Sequence, residues 1–134
     1  MSQPNALPKI LYVDDDSDDC ILLTESFASA SADLVCASDG QTAIKYLHSV
    51  ETGALPSLII LDLNMPGWDG KQTLNYIKSD PSLSSIPVVI LSTSENRMDK
   101  EVCSRLGAAS YFQKPFHYDG YKEVVKSCMP LVKI

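Results

Sequence analysis

Five short apolar runs recur along the chain: KILYV at 9–13, LVCA at 34–37, SLIIL at 57–61, PVVIL at 87–91 and ASYF at 109–112. Their apolar residues do not alternate with polar ones, which is the pattern of strands buried on both faces of a parallel sheet. Between the runs, apolar positions fall three and four residues apart. The sets are Cys20, Leu23, Phe27 and Ala30; Ala43, Ile44, Leu47 and Val50; Thr73, Leu74 and Ile77; Met98, Val102 and Leu106; and, after the last strand, Tyr121, Val124, Val125 and Cys128. That spacing predicts five helices, with Gly107 capping the fourth and Pro130 ending the fifth. Strict alternation of strand and helix predicts an α/β fold, a (βα)5 three-layer sandwich around a parallel five-stranded sheet. Because βαβ crossovers are right-handed, all strands point one way, and the residues just after them gather on one rim, where ligand chemistry in such sheets sits.

A length of 134 residues suits one domain. We divide it into an N-terminal arm (1–8), a domain (9–129) and a short tail (130–134). The arm MSQPNALP has neither a basic start nor an apolar stretch, and the longest aliphatic runs are LIIL and VVIL, so neither a signal peptide nor a membrane span is expected. The net charge of -6 and the absence of a basic run argue against nucleic acid or an anionic membrane as partner. Cys20, Cys36, Cys103 and Cys128 show no metal or redox spacing and read as small buried thiols of a reducing cytoplasm.

Charge changes the picture on the rim. Asp14, Asp15, Asp16, Asp18 and Asp19 place five of the 17 acids within six residues after the first strand. Asp16 or Ser17 can cap the following helix, with Asp18 and Asp19 set favourably against its dipole. Asp14 and Asp15 are read as functional, because another acid, Asp62, ends the third strand. Ser92 and Thr93 end the fourth, and Lys114 precedes Pro115 after the fifth. Like charges so close repel unless a cation neutralises them. Trp68, Phe112 and Phe116 read as packing residues, Trp68 as a lid or partner contact and the two phenylalanines as core. His48 and His117, placed in helical stretches, have no ligand partner at metal spacing.

The motifs VDD at 13–15, LDLNMPGWDG at 61–70, VVILSTS at 88–94 and KPF at 114–116 resemble, in this order, the receiver domain of two-component response regulators. The likeness spans about residues 8–129. The segments DDDSDDCILL and IPVVILSTS are most similar to stand-alone, CheY-like regulators that serve phytochrome-type sensor kinases. The resemblance implies the flavodoxin-like strand order 2-1-3-4-5. It implies Asp62 as phosphoacceptor, with Mg2+, replaceable by Mn2+, held by Asp15, Asp62 and the backbone carbonyl of Asn64, and by Asp14 through water. It also implies Lys114, Ser92, Thr93 and Tyr111 as phosphate-binding and switch residues, and a cis Lys114-Pro115 peptide. The implied partners are a sensor histidine kinase or histidine phosphotransfer protein and a downstream protein bound through helix four, strand five and helix five. Whether the chain is a monomer or a homodimer stays open. Two rival readings are a pseudo-receiver scaffold, which would normally lack Asp15, Asp62 or Lys114, and a haloacid dehalogenase-type hydrolase, whose general-acid Asp is Asn64 here.

Overall fold

The computed structural model describes residues 7–132 apart from Pro66, and for Thr52 the backbone only. Most of the predicted arm, and the last two residues of the tail, lie outside that range. The elements are β1 (Lys9–Val13), α1 (Ser17–Ser29), β2 (Asp33–Ala37), α2 (Gly40–Ser49), β3 (Leu58–Leu61), α3 (Gly70–Ser79), β4 (Val88–Ser92), α4 (Arg97–Arg105), β5 (Ser110–Gln113) and α5 (Gly120–Cys128). Single 3-10 turns follow α2 (Thr52–Ala54) and α5 (Met129–Leu131), the second containing Pro130. All strand pairs are parallel, in the order β2-β1-β3-β4-β5.

The three central strands, β1, β3 and β4, bury both faces, while the edge strands β2 and β5 are partly open. Leu11, Val13, Ile59, Leu61, Val88 and Ile90 face Ala43, Leu47, Leu74 and Ile77 of α2 and α3. Their sequence neighbours Ile10, Tyr12, Leu58, Ile60, Val89 and Leu91 face Leu23 and Phe27 of α1 and Val124 and Val125 of α5. Each such aliphatic side chain removed from water contributes about 1.5–3 kcal/mol before the cost of chain ordering. The fold is thus a three-layer sandwich with α1 and α5 on one side.

Side-chain caps fix where the helices begin. Asp16 accepts the Asp18 and Asp19 N–H groups at the start of α1, and Asp39 accepts the Thr42 N–H in α2. Asp69 and Gln72 form a reciprocal capping box on α3. Gly107 ends α4 in a left-handed conformation (φ +105°), with its N–H on the Ser104 carbonyl and the Ala108 N–H on the Cys103 carbonyl. A Cβ strains that backbone, so Gly107→Ala should lose about 1 kcal/mol in urea unfolding.

Four expectations are corrected. Cys20 and Cys36 are joined in a disulfide between α1 and β2, leaving Cys103 and Cys128 as the free, buried thiols among the described residues. They are 16 residues apart in sequence, and only the docking of α1 beside β2 brings them together. Met98 is exposed and Cys103 fills the core in its place, because the short helix α4 turns a different stripe inward. Phe116 is 91% exposed rather than core, since the chain leaves the sheet after Gln113 and carries it along the rim. His117 lies in the turn before α5, not in a helix.

Candidate functional site

Strand register assembles the site. Val13 pairs with Leu61, so Asp14 and Asp62 emerge side by side from adjacent strands. The ladders continue past the strand ends: the Asp14 N–H donates to Ala37 O (3.0 Å), the Asp62 N–H to Val13 O (2.9 Å) and the Lys114 N–H to Ser92 O (2.7 Å). Backbone that rigid holds the functional side chains with little left to order. Leu61 pairs with Ile90, and Ser92 with Gln113, which brings the ends of β4 and β5 alongside.

The acids are packed closely. Asp14 and Asp62 are each 5% exposed, whereas Asp15 is open to solvent. Carboxylate oxygens of Asp14, Asp15 and Asp62 all lie within 4.8 Å of one another. Hard oxygen donors of this number and charge fit a divalent ion such as Mg2+ or Mn2+. Asn64 is at the surface in the loop after β3, two residues from Asp62.

One cation sits among them. The Lys114 ammonium is 2.7 Å from Asp14, 2.9 Å from Asp19 and 3.8 Å from Asp62. Asp14 also accepts a short hydrogen bond from the Tyr12 hydroxyl. Burial opposes ionisation of Asp14, but the Lys114 and Tyr12 hydrogen bonds outweigh it and hold its carboxyl below the ordinary range. Asp62 goes the other way. Burial, and then the neighbouring charge of Asp14, push it up to about 7 against the pull of Lys114. For Lys114, burial favours the neutral amine, yet bonds to Asp14 and Asp19 and the charge of Asp62 raise its pKa, so it stays charged.

Ser92 is fully buried, and its hydroxyl accepts the Ser94 N–H (3.2 Å). Thr93 is exposed and lines a cleft of about 240 Å3 with Asp19, Lys114, Pro115, Phe116 and Tyr121. A larger cleft, about 650 Å3 between α1 and α5, contains none of the rim residues. Tyr111 is half-buried, and its hydroxyl donates to the Ser94 carbonyl (2.9 Å). The Lys114-Pro115 peptide is trans, as are all those among the described residues, which corrects the cis expectation. Trans is the intrinsic preference, and the proline ring already packs against the Gly120 backbone at the head of α5.

Two features escaped the sequence reading. Asp19, assigned only to the helix dipole, is buried with one oxygen on Lys114 and the other accepting the Tyr121 hydroxyl (2.7 Å). The Ser94 hydroxyl donates to Asp99 (2.6 Å), whose other oxygen pairs with Lys71 (2.5 Å), linking the end of β4 to α3 and α4. Nothing in the acidic run separates Asp19 from Asp18, because the contacts of Asp19 with Lys114 and Tyr121 arise only when distant segments pack together. No local pattern marks the second.

A parallel 2-1-3-4-5 sheet with acids at the ends of its first and third strands, a hydroxyl after the fourth and a lysine after the fifth defines the receiver class of two-component signalling domains. The chain belongs to the response regulator receiver domain family, which matches residues 10–126. It is 38% identical over 120 residues to the response regulator Rcp1 of Synechocystis sp., covering 85% of this chain and 82% of Rcp1. It is similar to the phosphorylated cyanobacterial phytochrome response regulator RcpA (37% identity, TM-score 0.83, 91% of each chain). The Mn(2+)-bound form of Rcp1 aligns with 30% identity and a TM-score of 0.82, over 95% of this chain and 96% of that one. The chain is therefore a signalling domain rather than a metabolic enzyme. Receiver domains of this family are phosphorylated by histidine kinases and act on downstream partners. No helix among the described residues is long and apolar enough to cross a membrane.

Proposed function

We propose that the chain accepts a phosphoryl group on Asp62 from a sensor histidine kinase or histidine phosphotransfer protein, and catalyses that transfer and the later hydrolysis itself. The observation that carries this reading is the burial of Asp62 beside Asp14 with one ammonium, Lys114, 3.8 Å away. In the transfer a carboxylate oxygen of Asp62 forms a bond to phosphorus as the bond to the donor nitrogen breaks, the electron pair leaving with the imidazole. Asp62 must be ionised to attack, and Lys114 favours that state while offering its N–H groups to the phosphoryl oxygens. Asp14, Asp15, Asp62 and the Asn64 carbonyl would hold Mg2+, with Mn2+ able to substitute; when bound, the ion supplies charge neutralisation between carboxylates and phosphoryl oxygens. The Mn(2+)-bound form of Rcp1 supports this choice of ion. Ser92 and Tyr111, with Thr93 at the mouth of the cleft, are the switch residues through which a new dianion would remodel the face of α4, β5 and α5.

The place of action is the cytoplasm, where histidine kinases present their phosphorylated domains. Neither rival is favoured. Asp15, Asp62 and Lys114 are together as a scaffold would not require, and Asn64 cannot act as the general acid a hydrolase needs.

Incubation with acetyl phosphate and Mg2+ should give one acid-labile phosphate per chain. Borohydride reduction of the acyl phosphate should then convert Asp62, located by peptide mass mapping, to homoserine. Label at any other aspartate, or repeated turnover of a generic phosphate ester, would overturn the assignment. Asp15→Asn should weaken Mg2+ binding roughly tenfold or more, the effect of losing one carboxylate ligand. Asp16→Asn should do much less, because the Asp16 carboxylate is engaged as a helix cap. Titration of both variants by calorimetry checks this, and equal losses would contradict it.

A further inference from the structure

Asp19 lies outside the Asp14, Asp15 and Asp62 cluster, yet its carboxylate is closer to the Lys114 ammonium than Asp62 is, 2.9 Å against 3.8 Å. Its position is fixed from two directions. The backbone of Asp19 is in the first turn of α1, and its Oδ1 accepts the hydroxyl of Tyr121 in the first turn of α5. Tyr121 is itself buried, so this hydrogen bond has no solvent to replace it. We propose that Asp19 is a positioning residue that restrains Lys114, holding the ammonium on the α1 and α5 side of the rim in competition with the phosphoryl group on Asp62. The inference rests on the assignment of Asp62 as phosphoacceptor and Lys114 as its phosphate contact.

The chemistry follows from how few donors there are. Lys114 is the only cation within ion-pairing distance of these acids among the described residues, and an ammonium has three N–H groups. Asp14 and Asp19 occupy it at bonding distance, while Asp62 has the weakest claim. A phosphoryl group on Asp62 must therefore draw Lys114 off one of its two closer partners. Asp14 is bound also by Tyr12 and lies beside Asp62, so the ammonium can keep it while swinging inward. Asp19 is the partner left behind. Its carboxylate then has Tyr121 alone, so the exchange reaches the head of α5 as well as the Ser92 end of β4.

Asp19→Asn removes the ion pair while keeping an oxygen for the Tyr121 hydroxyl. At saturating Mg2+ it should speed phosphorylation by acetyl phosphate about fivefold at saturating donor, the scale of one lost competing contact. Asp18→Asn, equal in charge but on an exposed residue, should change half-saturation rather than the maximal rate. In a Lys114→Gln background, Asp19→Asn should have no further effect. A slower maximal rate in Asp19→Asn, the same gain in Asp18→Asn, or an undiminished gain without Lys114 would overturn the proposal. A second measurement does not depend on the Lys114 variant folding. The 15N resonance of the Lys114 ammonium in unphosphorylated Asp19→Asn should move part of the way toward its position in the phosphorylated parent; an unmoved resonance would overturn the restraint. If Lys114→Gln alone left phosphorylation unchanged, the underlying assignment of Lys114 would fail instead, a result separable from the others.

Discussion

Asp62→Asn is expected to take no phosphoryl group and yet, freed of divalent ions at pH 8, to be more stable than the parent by about 2 kcal/mol. An amide has no anionic oxygen to attack phosphorus, so labelling should fall to background. The stability gain has a separate origin, in the charge that folding imposes on a buried position. A carboxyl raised from 3.8 to about 7 corresponds to roughly 4 kcal/mol of penalty once fully ionised, and solvent relaxation at the rim reduces it to about half. The sign follows from proton binding. Between pH 4 and 7 the folded protein keeps a proton on Asp62 that the unfolded chain has lost, so parent stability declines as pH rises through that window and stays low above it. The variant lacks this decline, and the two proteins should converge as pH falls toward 4. Urea unfolding in chelator at a series of pH values measures it. A parent as stable as the variant at pH 8 would mean that Asp62 ionises without cost, and added Mg2+ should stabilise only the parent strongly.

Gly70→Ala should cost about 3 kcal/mol, the upper part of the usual range for overpacking. Gly70 is the first residue of α3, and a Cβ there would lie 2.3 Å from the Asp62 carbonyl oxygen and 2.8 Å from the Leu63 Cα. Both are backbone atoms and neither can rotate away. The Gly70 N–H already donates to the Leu63 carbonyl, tying α3 directly to the segment that carries Asp62. The same substitution should therefore weaken Mg2+ binding as well as stability, since any relief displaces the Asp62 backbone. A thermal midpoint within a degree or two of the parent's would show that α3 can withdraw freely.

The apolar runs located all five strands, most plainly β1, β3 and β4, which are buried on both faces, and the helices emerged wherever one stripe faced the sheet. Asp14, Asp15, Asp62, Ser92 and Lys114 were legible because topology alone brings strand ends to one rim. Contacts between distant residues were not. Lys114 meets Asp14 across a hundred residues, and nothing local distinguishes Asp19, which binds it, from Asp18, which does not. Periodicity likewise gives an element's buried stripe but not how a short helix rotates, hence the exchange of Met98 for Cys103. Phe116 and His117 follow the end of β5, where no period operates. Cys20 and Cys36 are neighbours only after α1 has packed beside β2.

Trp68, the chain's one tryptophan, belongs to the loop that joins Asp62 to α3 and leans on Tyr76 with ring centres 5.7 Å apart. Indole emission is sensitive to a nearby phenol and to water. Since the loop also carries Asn64, any rearrangement around Asp62 reaches this fluorophore through a few residues of backbone. The protein thus contains its own optical reporter, and the arrival of an ion or a phosphoryl group can be timed by stopped-flow without a dye or a radioactive label.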